Sequence, residues 1–309
     1  MYYLLLALLA AAVPAAAEPP VTLTGHSKAV EAVAFSPDGK YLASAGLDFS
    51  VALWTVKTGK VRKVMVGHKD SVWGVSFSED GDYLASADSK NIEIWKVPSG
   101  KTYKSLTGQN YGLYSLAFSP GGEYLAAGGY GGIGVWTFPE CEVYRAMRGK
   151  VGSVNSISVL GGGNYVVSAN SDGTIAVWNT NSGKITKQIS AHAEGVRGVA
   201  VSPGGVYAVS GGLDGLIKVW RLSDGMMVSS FAAHAGGVRA VAISPDGKSI
   251  ASGGMDNLVK VWSLPGPDKS PLKEFKGHTG SVEALDFSRD GGLIASGSKD
   301  NTVKIWKLR

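Results

Sequence analysis

Histidine, serine and aspartate recur together in this 309-residue sequence, each time followed by a tryptophan. Within a set the serine lies 18 residues after the histidine, the aspartate 22 and the tryptophan 28. These are the residue types of a hydrolytic triad, in which the histidine takes the proton of the serine hydroxyl and the aspartate orients the histidine. The complete sets are His26, Ser44, Asp48 and Trp54; His192, Ser210, Asp214 and Trp220; His234, Ser252, Asp256 and Trp262; and His278, Ser296, Asp300 and Trp306.

The repetition of these sets favours a structural role over a catalytic one. An enzyme normally has one active site, whereas four equal sets occur here, and a fifth region keeps His68, Ser86 and Trp95 with only Asp88 nearby. The same reasoning disfavours a metal site, because the five histidines fall in different repeats. We therefore expect no catalytic residue, no metal and no cofactor.

The elements that position these residues are indicated by the tryptophans, which recur every 41 to 44 residues. A period of about 40–45 residues is typical of propeller arrays. Alternating apolar segments such as 30–36, followed by turns such as 37–39, predict short antiparallel strands, four in each repeat. No helical pattern occurs, and the repeats begin near residues 25, 67, 108, 149, 191, 233 and 277.

Two of the repeats, GHKDSVWGVSFSEDGDYLASADSKNIEIW and GHTGSVEALDFSRDGGLIASGSKDNTVKIW, resemble WD40 repeats. The likeness covers residues 21–309 and implies an all-β, seven-bladed propeller with four antiparallel strands in each blade. It also implies that each histidine set is a buried hydrogen-bond network within one blade. Repeats three and four break the set: Gln109 and Lys150 replace histidine, and Ala127 replaces serine. We expect the amide hydrogens of these two blades to exchange faster than those of the other blades. The alternative that the two blades form a binding sector stays open.

The N-terminus predicts export. An apolar run over residues 4–13 is followed by Ala15-Ala16-Ala17, which is typical of a signal-peptide cleavage site, although no basic residue precedes the run. We expect a cleaved signal peptide over residues 1–17, one propeller domain over 18–309, and a secreted or periplasmic protein. An uncleaved membrane anchor is the alternative. The last repeat stops three residues after Trp306, so residues 21–24 are expected to supply its fourth strand and close the ring.

The composition limits the classes of partner. The net charge of +5, from 30 basic and 25 acidic residues, is too small for the signature of a nucleic-acid-binding protein. Cys141 is the only cysteine, which excludes disulfides within the chain and multi-cysteine metal sites. No second apolar stretch is long enough to span a bilayer.

One position, six residues after the first residue of each repeat, varies while its neighbours stay alike. By resemblance it lines the rim of the central channel, the usual docking surface of such propellers. It holds Glu31, Trp73, Tyr114, Asn155, Arg197, Arg239 and Glu283, and Trp73 is the one tryptophan outside the periodic set. Residues expected to border this rim are Leu47, Ser171, Leu213, Met255 and Lys299.

We predict a non-enzymatic, monomeric platform that binds a protein or peptide through this rim, because Trp, Tyr and Arg dominate the binding energy of interfaces. One alternative is an enzyme or a cofactor-binding propeller. The other is a glycan- or polyanion-binding module that uses Trp73, Tyr114, Arg197 and Arg239.

Overall fold

The structure is a computed structural model that describes residues 19–107, 112–266 and 270–308. These residues form 28 β-strands and no helix, arranged in seven antiparallel sheets of four strands. The expected all-β, seven-bladed propeller is therefore confirmed. The predicted signal peptide over residues 1–17 and the residue Gln109 lie outside the described residues, so the expectations for them stay predictions.

The innermost strand of each blade lines a central channel. Each innermost strand contacts those of both neighbouring blades, and the last contacts the first, so they form a closed ring. From blade 1 to blade 7 they are β2 (Val30–Phe35), β6 (Val72–Phe77), β10 (Leu113–Phe118), β14 (Val154–Val159), β18 (Val196–Val201), β22 (Val238–Ile243) and β26 (Val282–Phe287).

The second and third strands form the middle of each blade. The second strands are almost continuously buried, because neighbouring blades cover both of their faces. They are β3 (Tyr41–Gly46), β7 (Tyr83–Asp88), β11 (Tyr124–Gly129), β15 (Tyr165–Asn170), β19 (Tyr207–Gly212), β23 (Ser249–Gly254) and β27 (Leu293–Ser298). The third strands, whose penultimate residue is the periodic tryptophan, are β4 (Val51–Thr55), β8 (Ile92–Lys96), β12 (Gly132–Thr137), β16 (Thr174–Asn179), β20 (Leu216–Arg221), β24 (Val259–Ser263) and β28 (Thr302–Lys307).

The outermost strands face solvent. In blades 1 to 6 they are β5 (Lys60–Met65), β9 (Lys101–Leu106), β13 (Val143–Met147), β17 (Lys184–Ser190), β21 (Met227–Ala232) and β25 (Lys273–Phe275). In blade 7 the N-terminal strand β1 (Val21–Thr24) takes this place by pairing antiparallel with β28. The N-terminal strand thus closes the ring and covers the edge of the last strand.

The hydrophobic core is divided among the interfaces between blades. Between blades 1 and 2, Leu53 packs in one cluster with Leu84 and Trp95. The seam between blades 7 and 1 is built in the same way, with Leu23 and Trp54 in one cluster. Because Leu23 is only 2% exposed, the closing strand contributes to the core as well as to the sheet.

The predicted hairpin turns join the first and second strands. In blade 1, Gly39 has a φ of 70°, a left-handed conformation that glycine adopts without a steric penalty. The Ser36 hydroxyl donates to Asp38 Oδ1 at 2.6 Å, and the Lys40 backbone N–H donates to the same oxygen at 3.0 Å. The turn sequence therefore supplies both the backbone freedom and the acceptor that the hairpin needs.

Candidate functional site

The histidine sets form hydrogen-bond networks inside the blades. In blade 6, His234 Nδ1 lies 2.7 Å from Asp256 Oδ1, and His234 Nε2 lies 2.7 Å from Ser252 Oγ. Trp262 Nε1 donates to the same Oγ at 2.8 Å. Because a carboxylate only accepts hydrogen bonds, Nδ1 carries the proton and Nε2 accepts from the serine hydroxyl. One serine thus links the loop before the first strand to the second and third strands.

The same bonds occur in all the complete sets. The distance from histidine Nε2 to serine Oγ is 2.7 or 2.8 Å in each of them. Burial lowers the pKa of His192, His234 and His278, which favours the neutral imidazole that the network needs. Burial alone would raise the pKa of Asp300, but hydrogen bonds from Thr302 and His278 help to lower it to about 2.

Blade 2 contains a network that the sequence did not assign. Asp88 Oδ2 lies 2.8 Å from His68 Nδ1, and Ser86 Oγ lies 2.7 Å from His68 Nε2. Asp88 is the last residue of the second strand, not a residue of the following turn. The turn of this repeat is one residue shorter than in the repeats with complete sets. That shorter turn is the sequence feature that indicates why Asp88, at the end of the strand, takes the place of the turn aspartate.

The distances in these networks are those of a hydrolytic triad, but the surroundings are not. The serines are 0% exposed in all five networks, namely Ser44, Ser86, Ser210, Ser252 and Ser296. Each serine oxygen also accepts the indole N–H of a tryptophan. A nucleophilic serine must reach its substrate, whereas these hydroxyls hold the strands of a blade together.

Blades 3 and 4 lack the full network. In blade 3, Ala127 stands in place of the serine and has no acceptor for an indole N–H. In blade 4, Ser168 accepts from Trp178 at 2.9 Å, but Lys150 replaces the histidine. The buried Asn170 Oδ1 makes no hydrogen bond with any described residue. These two blades therefore have fewer of the side-chain bonds that connect the strands elsewhere.

A different group of residues surrounds one mouth of the central channel, where a cavity of about 540 Å³ lies. The cavity is lined by all seven residues of the varying position, one from each blade, together with Leu47, Ser171 and Lys299. In blade order the seven are Glu31, Trp73, Tyr114, Asn155, Arg197, Arg239 and Glu283. The structure therefore brings these side chains to a single place.

The lining differs from the predicted border at three residues. Leu213 and Met255 are not among the residues that line the cavity. Leu213 packs beside Gly237, in the loop before the first strand of blade 6, and Met255 is 43% exposed. Ser153 lines the mouth instead, where its backbone N–H donates to Ser171 Oγ at 2.8 Å. A serine just before a strand gives no distinctive sequence signal, so it was not predicted.

The backbone explains why the varying position faces the channel. In blade 1 the register with the second strand passes from Val30 to Ala32, so Glu31 has no partner across the ladder. The same shift occurs at the corresponding residue of every blade. Such a β-bulge re-aims a side chain and frees it from cross-strand packing. The bulge therefore fixes where the side chain lies but places few demands on its type.

Blades 2 and 3 form an aromatic side of the mouth, which consists of Trp73 and Tyr114. Their rings meet edge to face, with centroids 6.1 Å apart and an interplanar angle of 81°. Tyr114 remains 36% exposed. Two rings that support each other present a rigid apolar surface, which loses little side-chain entropy when a ligand packs on it.

Blades 5, 6, 7 and 1 form a charged side of the mouth, which consists of Arg197, Arg239, Glu283, Lys299 and Glu31. Arg239 Nε lies 3.8 Å from Glu283 Oε2, and Lys299 Nζ lies 3.5 Å from Glu283 Oε1. Arg239 Nε and Glu283 Oε1 are buried and make no hydrogen bond with any described residue. Burial, with the charge of Glu283, raises the pKa of Glu31 to about 7 in spite of the nearby cations.

Polar side chains of the innermost strands, Asn155 and Asp286 among them, connect neighbouring blades. Asn155 Nδ2 donates to the Val196 carbonyl at 2.8 Å and links blade 4 to blade 5. Asp286, which the sequence did not single out, accepts the Phe35 backbone N–H at 2.7 Å and links blade 7 to blade 1. Burial raises the pKa of Asp286 to about 7. Asn155 therefore supports the framework as well as lining the mouth.

Within residues 19–107, 112–266 and 270–308, no group of three or more His, Cys, Asp or Glu side chains is placed to hold a metal ion. The same part of the chain contains no helix that is long and apolar enough to cross a membrane.

The repeats match a known family along almost the whole chain. The family model described as "WD domain, G-beta repeat" matches residues 17–55, 59–96, 100–137, 141–179, 183–221, 225–263 and 269–307. The chain belongs to the WD40 repeat family. Each WD40 match ends at or next to the end of a third strand, so a repeat begins with the outermost strand of the preceding blade. This stagger is why the first WD40 repeat carries β1, the strand that completes blade 7.

Three curated relatives are similar to the chain over short stretches. The chain is 51% identical over 43 residues to Ribosome assembly protein 4 of Saccharomyces cerevisiae, and 54% identical over 43 residues to the Notchless protein homolog of Arabidopsis thaliana. It is 62% identical over 37 residues to Protein Mut11 of Chlamydomonas reinhardtii. The matches cover 14%, 14% and 12% of this chain, and 8%, 9% and 10% of the respective relatives. Each similarity thus spans about one WD40 repeat.

Proposed function

We propose that this WD40 propeller is a non-enzymatic interaction scaffold that holds a partner protein or peptide at the channel mouth. The observation that carries the proposal is that seven bulge residues share one backbone position yet differ in charge, size and polarity. The hydrogen-bond networks inside the blades show no such diversity, since the same histidine, serine, aspartate and tryptophan types form them in five of the seven blades. Because fold alone does not define function, this site and not the propeller itself is the basis of the proposal.

The relatives support the class of function only. One of them is named for ribosome assembly, and its similarity to this chain covers 8% of that protein. A shared single repeat is consistent with a scaffold that contacts other macromolecules. The identity of the partner is not transferred from that name.

The aromatic side of the mouth gives the direct test. Trp73→Ala should reduce recovery of the partner from a native extract by more than tenfold, since a tryptophan at the centre of an interface commonly contributes 2 kcal/mol or more, roughly a factor of 30. The readout is quantitative affinity capture with the full chain as bait. Thermal unfolding should change little, because Trp73 lies at a bulge and not in the interface core between blades.

Tyr165→Ala is the matched control. Tyr165 is 39% exposed, close to the exposure of Tyr114, but it begins β15 at the end far from Asn170, which pairs beside the mouth. Capture should be unaffected by this change. Equal recovery by the parent protein, Trp73→Ala and Tyr165→Ala would show that the mouth is not the docking surface.

A further inference from the structure

Among the described residues, the charged side of the mouth contains one cation, Arg197, that forms no ion pair of its own. Arg239 and Lys299 both lie within ion-pair distance of Glu283. Arg197, which also lines the mouth, is exposed and makes no hydrogen bond or ion pair with any described residue. Partial burial and the neighbouring Arg239 lower the pKa of Arg197, although Glu283 and Glu31 act in the opposite direction. A ligand carboxylate in direct contact with this guanidinium would stabilise its charge further.

We propose that Arg197 binds a carboxylate side chain of an extended partner segment, while Trp73 and Tyr114 hold an apolar side chain of the same segment. The inference rests on the proposed function at the channel mouth, to which it adds the chemistry of the ligand. A guanidinium can donate two parallel hydrogen bonds to a carboxylate, an arrangement stronger than neutral hydrogen bonds.

The two glutamates of the mouth restrict the ligand to a single negative charge. Glu31 and Glu283 line the same cavity as Arg197. A nucleic acid or a sulfated glycan would place further anionic groups next to these carboxylates, and such juxtaposition of like charges is costly. One aspartate or glutamate side chain directed at Arg197 avoids that repulsion.

The position of the two anchors requires a ligand that spans the mouth. Trp73 and Tyr114 come from blades 2 and 3 and Arg197 from blade 5, with blade 4 between them contributing Asn155 and Ser171 to the lining. A small anion could reach Arg197 but not the aromatic side. The cavity of about 540 Å³ falls within the usual range of binding pockets, about 300–1,000 Å³, and so admits a few side chains of a peptide.

Glu31 should make this binding depend on pH. The charged groups that face Glu31 are Glu283, Lys299, Arg239 and Arg197. Because its pKa is raised to about 7, Glu31 is mostly ionised at pH 8 and mostly neutral at pH 6. A peptide carboxylate, with an ordinary pKa near 4, stays ionised over this range. Binding should therefore tighten as the pH falls from 8 to 6.

The test uses fluorescein-labelled dodecapeptides in a Gly/Ser background. Each peptide carries one leucine and one glutamate, separated by one to five residues, and has twins with glutamine or lysine in place of the glutamate. Fluorescence anisotropy measures their Kd for the full chain at pH 6 and pH 8. At the best spacing the glutamate peptide should bind about tenfold more tightly than its glutamine twin, because the glutamine amide keeps one acceptor oxygen for Arg197 and loses one charge-assisted hydrogen bond. The lysine twin should bind most weakly.

Single-residue variants separate the contributions of Arg197, Glu31 and Trp73 to peptide binding. Arg197→Gln should abolish the preference for glutamate over glutamine, whereas Arg62→Gln, which removes the same charge from the exposed strand Lys60–Met65, should preserve it. Glu31→Gln should keep the preference but remove its pH dependence. Trp73→Ala should weaken the binding of the glutamate and glutamine peptides by the same factor.

Several results would overturn the inference. These are tighter binding of the lysine twin, an unchanged glutamate preference in Arg197→Gln, tighter binding of a heparin oligosaccharide than of any peptide, or no binding of any peptide. None of them would by itself refute the mouth as a docking surface, since the capture experiment with Trp73→Ala decides that question independently.

Discussion

The blade networks and the channel mouth use the same classes of polar side chain in opposite ways. In the networks, one serine oxygen serves a histidine and a tryptophan in five different blades, and the serine is 0% exposed each time. At the mouth, the repeated position holds different side chains, and the buried atoms Arg239 Nε and Glu283 Oε1 have no hydrogen-bond partner among the described residues. The networks are satisfied and alike, whereas the mouth is varied and keeps two buried polar atoms without a hydrogen bond to any described residue.

This difference separates groups that stabilise the fold from groups that are available to a ligand. A buried polar network stabilises a fold only when its members have partners. Groups held in place without partners gain more from a ligand that supplies them. Changes in the framework should therefore alter stability, and changes in the mouth should alter binding. The predictions below test this division from the framework side first.

The largest loss of stability should follow removal of residues 18–24. This deletion takes away β1, the strand that completes blade 7, together with Leu23 in the seam between blades 7 and 1. Loss of a buried leucine alone costs about 2–5 kcal/mol, and the exposed edge of β28 adds to it. We expect the Tm to fall by roughly 10 °C or more, as measured by differential scanning calorimetry.

Two substitutions in β1 sharpen that result. Leu23→Ala should account for a large part of the loss, because Leu23 is buried, while Val21→Ala, at a position that is 45% exposed, should have little effect. If the deletion left the Tm unchanged, ring closure by the N-terminal strand would not contribute to stability.

The second-largest loss of stability should come from Ser252→Ala in blade 6. The change leaves both the Trp262 indole N–H and His234 Nε2 without their partner, at a cost of about 1–3 kcal/mol for each buried group. Ser168→Ala in blade 4 is the matched control, because Ser168 accepts from Trp178 but has no histidine partner. Urea unfolding should show about half the loss for Ser168→Ala. Equal losses would mean that the histidine bond adds nothing to stability.

The fold could be predicted from the sequence because the same pattern of strands and turns occurs in every repeat. The seven periodic tryptophans define the spacing of the blades, and the turn sequences define where strands end, so errors in one repeat are corrected by the others. The seven mouth residues were predictable for the same reason: Glu31 and its six counterparts occupy one place in the repeat, and a closed ring brings such places together.

The residues that were missed depend on local geometry that the repeat pattern does not reveal. Asp88 completes the blade 2 network because its turn is one residue shorter, and the effect of that deletion on the reach of a carboxylate is visible only in the folded backbone. Asp286 links two blades that are far apart in sequence. Leu213, predicted to border the mouth, packs beside Gly237 and is not among the residues that line the cavity, because loop conformation as well as position in the repeat decides which side chains reach it.

The smallest effect on stability is expected at the mouth itself, from Glu31→Gln. Because the folded pKa of Glu31 is raised to about 7 from 4.5, its contribution to stability is fully present below pH 4.5 and is lost as the pH rises through 7. Glutamine cannot ionise, so the variant should match the parent near pH 4.5 and melt a few degrees higher above pH 7. The raised pKa of Asp286 makes stability fall with rising pH in the same way, and the lowered pKa values of the buried histidines have the opposite effect. These groups are present in both the parent and the variant, so their contributions cancel when the two Tm values are compared at one pH. Glu142→Gln, which removes the same charge from an exposed side chain, should show no such pH-dependent gain. A Glu31→Gln variant that melted below the parent at pH 8 would assign Glu31 to the framework and weaken the division between the two regions.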